Sequence, residues 1–231
     1  AMLASTAAAE ISDGVVKIGV LTDMSGTYSD LSGEGAVVAT QMAIEEFNGT
    51  VAGAPIELVS ADHQNKADIA ANKARQWGDS DQVDVFAELV TTSVALAVFE
   101  IAKQQNKIAL VSGAASSPLT SDACIPTGIH WTYNTRALAV GTGSAVVKEG
   151  GDSWYFLTAD YAFGESLQRD VAAVVEAEGG KVLGAIKHPF PSSDFSSFVL
   201  QAQASGAKVV GLANAGADTV NAIKAANEFG L

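Results

Sequence analysis

Between Trp154 and Ala213 the sequence keeps a fixed step. The β-rich runs Trp154–Thr158, Val182–Ile186 and Val209–Ala213 begin roughly 27 to 28 residues apart, the length of one strand–helix–strand unit. Between them, apolar residues fall at helical spacing: Leu167, Val171, Val174 and Val175, then Phe195, Phe198, Val199 and Ala202. Gly179-Gly180 and Gly206 stop these helices. Strands that recur after a helix run parallel, because returning in the same direction requires a crossover. The step therefore predicts an α/β fold with parallel sheets.

The first half follows the same alternation less regularly. Val15–Leu21 is a nearly continuous apolar run, as expected of a strand covered on both faces. Ala39, Met42, Ala43 and Phe47 mark a helix that Asn48-Gly49 ends. Ile56–Ser60 is the next strand, the polar loop Asp62–Asn65 follows, and a helix runs from about Ala67 to Trp77. Val83–Leu96 then reads as a strand ending at Thr91, Thr92 and Ser93, where a helical pattern begins. Ile108–Ser112 closes the set, and Ile129–Tyr133 is a further extended piece. From Arg136 a new helix runs to Gly150-Gly151, and the polar segment Asn134-Thr135-Arg136 reads as a crossing between two lobes. The expected division is residues 11–134 for the N-terminal lobe and 135–231 for the C-terminal lobe. Ala217–Phe229 is a helix stopped by Gly230, and Leu231 reads as the start of another strand, so the second lobe is expected to be incomplete.

Composition narrows the partners. A formal net charge of −13 over 231 residues argues against nucleic acid, whose phosphates need a basic face. No apolar run approaches the ~20 residues of a bilayer span. Cys124 is the single cysteine, so neither an intrachain disulfide nor a thiolate zinc site is expected. Residues 1–10 are alanine-rich and end in an A-x-A-like string, expected to be the remnant of a secretory signal or a tag.

The chemistry of the turns favours binding over catalysis. A helix start exposes unpaired N–H groups and a partial positive charge, so Thr91, Thr92 and Ser93 can cap the helix or face an anion. The neighbouring turn, Gly113-Ala114-Ala115, is small and uncluttered, and the two together make a place for a small carboxylate. Thr22–Tyr28 lacks both G-x-G-x-x-G and a Walker lysine, and Asp23 and Asp30 would repel a phosphate. His63, His130 and His188 lie far apart without ligand spacing, as expected of surface or turn residues, and no G-x-S-x-G elbow occurs. No metal or cofactor is expected. The turn Thr158–Glu165 carries Tyr161 and Phe163 at the carboxyl end of a strand, where ligands sit in open α/β sheets. Its counterpart, Asn214-Ala215-Gly216-Ala217-Asp218, is stripped of bulk and leaves a tight turn or room for a ligand.

With these turns in order, the chain resembles the periplasmic solute-binding proteins of ABC importers, of the branched-chain amino acid and aromatic acid type. Val16–Gly26 resembles that family's opening strand and Ser-Gly turn, Thr91-Thr92-Ser93 its hydroxyl cluster, and Ser112–Ala115 its next ligand turn. Asp160–Gly164 resembles its aromatic-Gly turn, and the likeness runs from about Val15 to Leu231. It implies two Rossmann-like lobes that close on a ligand by hinge motion near Asn134, Thr135 and Arg136, with no bond made or broken. Thr91, Thr92 or Ser93 and the backbone of Gly113, Ala114 and Ala115 would hold the ligand's carboxylate. Tyr28 and Leu31 would flank the entrance, Phe163 would lie over the ligand, and Asn214 would face it from the second lobe. The run Ile129–Asn134, with Tyr133, and the string Ser60–Lys66 are similar to members that take aromatic acids. The implied ligand is thus an aromatic carboxylate or a branched-chain amino acid, with urea and small amides left open. The implied partner is a membrane permease, and the implied location is the periplasm. A sensory domain of the same fold and a flavodoxin-like enzyme are the alternatives.

Overall fold

A computed structural model describes Ile11 and residues 13–231; the alanine-rich residues 1–10 lie outside it. The strands are β1 (Val16–Thr22), β2 (Thr50–Val51), β3 (Ala54–Asp62), β4 (Val85–Glu88), β5 (Ile108–Val111) and β6 (Gly128–His130), then β7 (Ser153–Ala159), β8 (Lys181–His188) and β9 (Val209–Ala213). The first six form one sheet in the order β2-β3-β1-β4-β5-β6, and the last three form a second in the order β8-β7-β9. All pairings are parallel except the short β2–β3 hairpin, an antiparallel edge that the apolar periodicity did not signal.

The helices are α1 (Gly33–Glu46), α2 (Ala67–Asp79), α3 (Thr92–Gln105), α4 (Thr135–Leu138), α5 (Ser144–Lys148), α6 (Ala162–Ala177), α7 (Ser196–Ala204) and α8 (Ala217–Phe229). The helix expected from Arg136 to Gly150 is α4 and α5 joined through one π-turn at Ala139–Gly143. Among the described residues no helix is long and apolar enough to cross a membrane.

Packing explains which faces of the sheets are covered. In the first lobe, α2 and α3 bury Trp77, Phe86, Leu89, Val98 and Phe99 against one face of the sheet. Gly19 makes this contact possible: a Cβ there would stand 2.6 Å from the Trp77 ring, so its absence lets the indole lie on β1. The other face carries α1 over an apolar groove lined by Val16, Ile18, Ile56, Val85 and Leu110, with Phe47 67% exposed. The start of β1 is therefore only half-buried, short of the two-sided cover its apolar run suggested. The second sheet has a core on each side: Trp154, Phe156, Val171 and Val175 on one, Leu157, Phe195, Val199 and Ala222 on the other.

His63 opens the turn that runs to Lys66, as expected, yet it is fully buried. His188, the last residue of β8, is fully buried as well, contrary to the expected surface or turn placement. His63 Nδ1 accepts the Asn65 N–H at 3.0 Å. His188 packs edge-on against Phe195 and lies 3.7 Å from the Asp218 carboxylate.

Candidate functional site

The turns that leave the carboxyl ends of β1, β4, β5, β7 and β9 converge on one cavity of about 550 Å³ between the two sheets. Each turn reaches it by a different local device.

After β1, the buried Asp23 carboxylate accepts the N–H of Gly26 at 2.7 Å and of Tyr28 at 2.8 Å. The carboxylate occupies the amide groups that a phosphate would need, so this turn is no nucleotide loop. It brings Tyr28, Leu31 and Ser32 to the cavity. The Tyr28 hydroxyl bonds the Tyr161 hydroxyl of the second lobe, and Phe190 stacks on Tyr161 with ring centroids 4.2 Å apart. Burial raises the pKa of both phenols above the ordinary tyrosine value, so both stay protonated at neutral pH. Gly216 allows the lobes to approach here. Its φ of +61° is left-handed, and a Cβ would stand 3.0 Å from the Tyr28 ring.

After β4, the backbone turns through two left-handed residues, Glu88 (φ 79°) and Leu89 (φ 56°). Such a conformation costs a side-chain-bearing residue of order 1–3 kcal/mol and concentrates at functional turns. The three hydroxyls that follow diverge. Thr91 occupies the cap position of α3 without capping it, and its hydroxyl donates instead to Asn65 Oδ1. Thr92 faces the cavity, its Oγ1 2.9 Å from Ser116 Oγ. Ser93 does not line the cavity. The first turn of α3 thus opens without a side-chain cap, with Thr92 at its mouth.

After β5, Ser112, Gly113 and Ala115 line the cavity, while Ala114 turns away and its carbonyl accepts from His130 Nε2 at 2.8 Å. Past β6, Thr132 and Tyr133 complete this wall. From the second lobe come Tyr161, Phe163 and Ala215. Asn214 is buried below them, its amide nitrogen 3.2 Å from His188 Nε2 and its Oδ1 accepting from Thr219 at 2.8 Å.

Of the residues expected at the site, Tyr28, Leu31, Thr92, Gly113, Ala115, Tyr133 and Phe163 meet around this cavity. Thr91, Ser93, Ala114 and Asn214 do not, because neighbouring side chains or the alternation of the backbone point them elsewhere. Reasoning from sequence missed Ser32, Glu88 and Val90, which carry no motif, whereas Ser112 belongs to the turn Ser112–Ala115 that the family likeness marks. Tyr161 was signalled by its aromatic turn. Of the hinge segment, Asn134 caps α4 by accepting the Ala137 N–H at 2.9 Å, Thr135 is wholly buried, and Arg136 lies within α4.

Two α/β lobes meeting at the carboxyl ends of their strands around a shared cavity define a bilobal binding protein. The chain belongs to the periplasmic binding protein family, whose family model matches residues 15–231. This is a family of binding proteins and not of enzymes. The structure is similar to that of a periplasmic binding protein from Burkholderia mallei, with a TM-score of 0.92 and 55% identity, covering 94% of this chain and 58% of the other. A branched chain amino acid ABC transporter periplasmic ligand-binding protein from Burkholderia xenovorans LB400 matches with a TM-score of 0.77 and 38% identity over the same shares. A solute binding protein of an ABC transporter from Rhodopseudomonas palustris HaA2, in complex with p-hydroxybenzoic acid, matches with a TM-score of 0.85 and 26% identity, again over 94% and 58%. Leu/Ile/Val-binding protein homolog 6 of Brucella melitensis is 27% identical over 98% of this chain, which spans 58% of that relative's length.

Proposed function

We propose that this chain carries the ligand-gripping part of an extracytoplasmic solute-binding protein that serves an ABC importer, and that it takes a small organic acid. An aromatic carboxylate is favoured over a branched-chain amino acid. The observation that carries this reading is the pairing, in one cavity, of an uncapped helix start with an aromatic wall. The first turn of α3, the Thr92 hydroxyl and the backbone at Ala115 suit a carboxylate. Tyr28, Tyr133, Tyr161 and Phe163 suit a flat apolar body opposite it. The p-hydroxybenzoic acid complex of the Rhodopseudomonas relative supports the aromatic preference, and the names of the Burkholderia xenovorans and Brucella relatives keep branched-chain amino acids in view.

In this reading the acid docks on the first lobe and the second lobe closes over it. The crossing at Asn134–Arg136 is the pivot, with Thr135 held fixed and the rotation taken up on either side. To move the lobes from 1:99 closed to 99:1 the ligand must favour the closed state by about 5.5 kcal/mol. A membrane permease would receive the closed, loaded form.

Titration calorimetry against benzoates, phenylpropanoates, amino acids and small amides tests the reading. An organic acid is expected to bind with one-to-one stoichiometry and to bind more weakly to Thr92→Val. Failure of every class to bind would overturn it.

A further inference from the structure

We infer that Glu88 is a selectivity residue of this cavity: the acid it admits carries, besides its carboxylate, a hydrogen-bond donor, an ammonium or a hydroxyl, that meets the Glu88 carboxylate. The inference rests on the reading of the cavity as an acid-binding site and names the substrate class more narrowly.

The first observation is how Glu88 is held. Glu88 and Leu89 are consecutive left-handed residues at the end of β4, a backbone that no helix or strand in the fold requires of a glutamate. The turned side chain is gripped from two sides. Oε1 accepts from Ser32 Oγ at 2.6 Å, and Oε2 accepts from the Ser112 hydroxyl. Gly113 clears the space beside it, since a Cβ there would stand 2.6 Å from Oε1. Three separate turns are therefore shaped around one carboxylate.

The second observation is what that carboxylate has left to do. Ionised, it has about four acceptor positions, of which the two serines use two. The group borders the cavity and is 9% exposed, so bulk water does little to satisfy the rest.

Charge is the third observation. The described residues that line the cavity include two carboxylates, Asp30 and Glu88, and no lysine, arginine or histidine. Asp30 is exposed and solvated, whereas Glu88 is not. A bare carboxylate drawn in by the start of α3 would share a low-dielectric space with an uncompensated negative group. A donor on the ligand removes that conflict. A site built to receive a donor also rejects the analogue that lacks one, because the buried acceptor is then left unpaired.

Matched ligands test this on the unaltered chain: L-leucine against 4-methylpentanoate, and 4-hydroxybenzoate against benzoate, each by titration calorimetry. In at least one pair the member with the donor is expected to bind about tenfold tighter or more, as for a hydrogen bond to a charged group. Glu88→Gln keeps the shape and the Ser32 contact, with the Ser112 hydroxyl turning from donor to acceptor. It should narrow either gap by at least about threefold, because a neutral acceptor replaces a charged one. Equal affinities within both pairs, or a gap that Glu88→Gln leaves unchanged, would overturn the role of Glu88 and leave the cavity an acid site. If neither these four nor any other acid of the panel binds, the acid-binding reading itself falls, and this inference with it. An acid without a second donor that binds where these four do not overturns the inference alone.

Discussion

Thr135 Oγ1 donates to Asp170 Oδ2 at 2.6 Å, tying the first turn of α4 to α6 at the point where the chain passes between its two sheets. The same hydroxyl accepts the Ser117 N–H at 3.0 Å, and the Thr135 N–H donates to the Ala115 carbonyl at 2.7 Å. Ser117 Oγ also reaches Asp170 Oδ2 at 2.8 Å, and Arg169 closes the cluster on Oδ1 at 3.1 Å. A residue of the crossing is thus fixed to a ligand-side turn of one lobe and to a helix of the other.

Because Asp170 is nearly buried, its removal strands two hydroxyls. Asp170→Ala is expected to lower the free energy of unfolding by about 3 kcal/mol, the range for lost hydrogen bonds to a charged group plus unpaired partners. Arg169→Ala should cost less than about 1 kcal/mol, since its side chain is largely exposed and its ion pair is solvent-screened. Urea unfolding of both variants checks the pair. Equal losses would mean that the arginine, and not the buried hydroxyl cluster, anchors the crossing.

Across the cavity mouth, the Tyr28 and Tyr161 hydroxyls bond one another between lobes. Tyr28→Phe removes one partner and leaves the other hydroxyl buried. Ligand affinity is expected to fall about fivefold, the worth of one neutral hydrogen bond present only in the closed state. Tyr161→Phe should do the same. The double variant should lose less than the sum, because both single changes break one bond. Calorimetry with the best ligand of the panel measures all three.

Gly164 has no room for a side chain. A Cβ there would stand 2.1 Å from the Ala159 carbonyl oxygen and 2.9 Å from that of Ala213, and neither backbone atom can swing aside. Gly164→Ala is expected to destabilise the fold by about 3 kcal/mol, the upper part of the usual range for overpacking. Gly141→Ala is the control: open space surrounds it, and an alanine in helical backbone is expected to be neutral or stabilising by up to about 1 kcal/mol. Thermal melts of the two variants give the comparison.

These cases mark what sequence could carry. The order of strands and helices followed from apolar spacing and glycine stops, and the turns that meet at the cavity followed from that order. Which of Thr91, Thr92 and Ser93 faces the cavity did not follow, because it depends on Asn65, 26 residues before Thr91, drawing the first hydroxyl away. Glu88 was invisible for a related reason: its left-handed backbone and its two serine partners, 56 residues before and 24 residues after it, leave no local pattern. The burial of His63 was not legible because a lone histidine in the polar string Asp62–Asn65 looks solvated until tertiary packing closes over it. That of His188 was not legible because its cover, Phe195 and Asp218, lies further along the chain.

His63 offers a pH signature of that packing. Burial lowers its pKa to about 4, against the opposing pull of the Asp23 and Asp62 carboxylates. In the unfolded chain the imidazole titrates near the ordinary value of about 6.5. Between those two values the unfolded chain binds the proton and the folded chain does not, so stability falls as pH drops through that window. The contribution is complete above about pH 6.5, shrinks steadily down to about pH 4, and amounts to about 3 kcal/mol over the whole span. His63→Asn keeps an acceptor for the Asn65 N–H but has nothing to protonate. Its unfolding free energy, followed by urea titration at intervals from pH 7 to pH 4, should show a shallower decline than the parent chain. Parallel slopes would mean that His63 is charged in the folded state, and that Asp23 and Asp62 outweigh its burial.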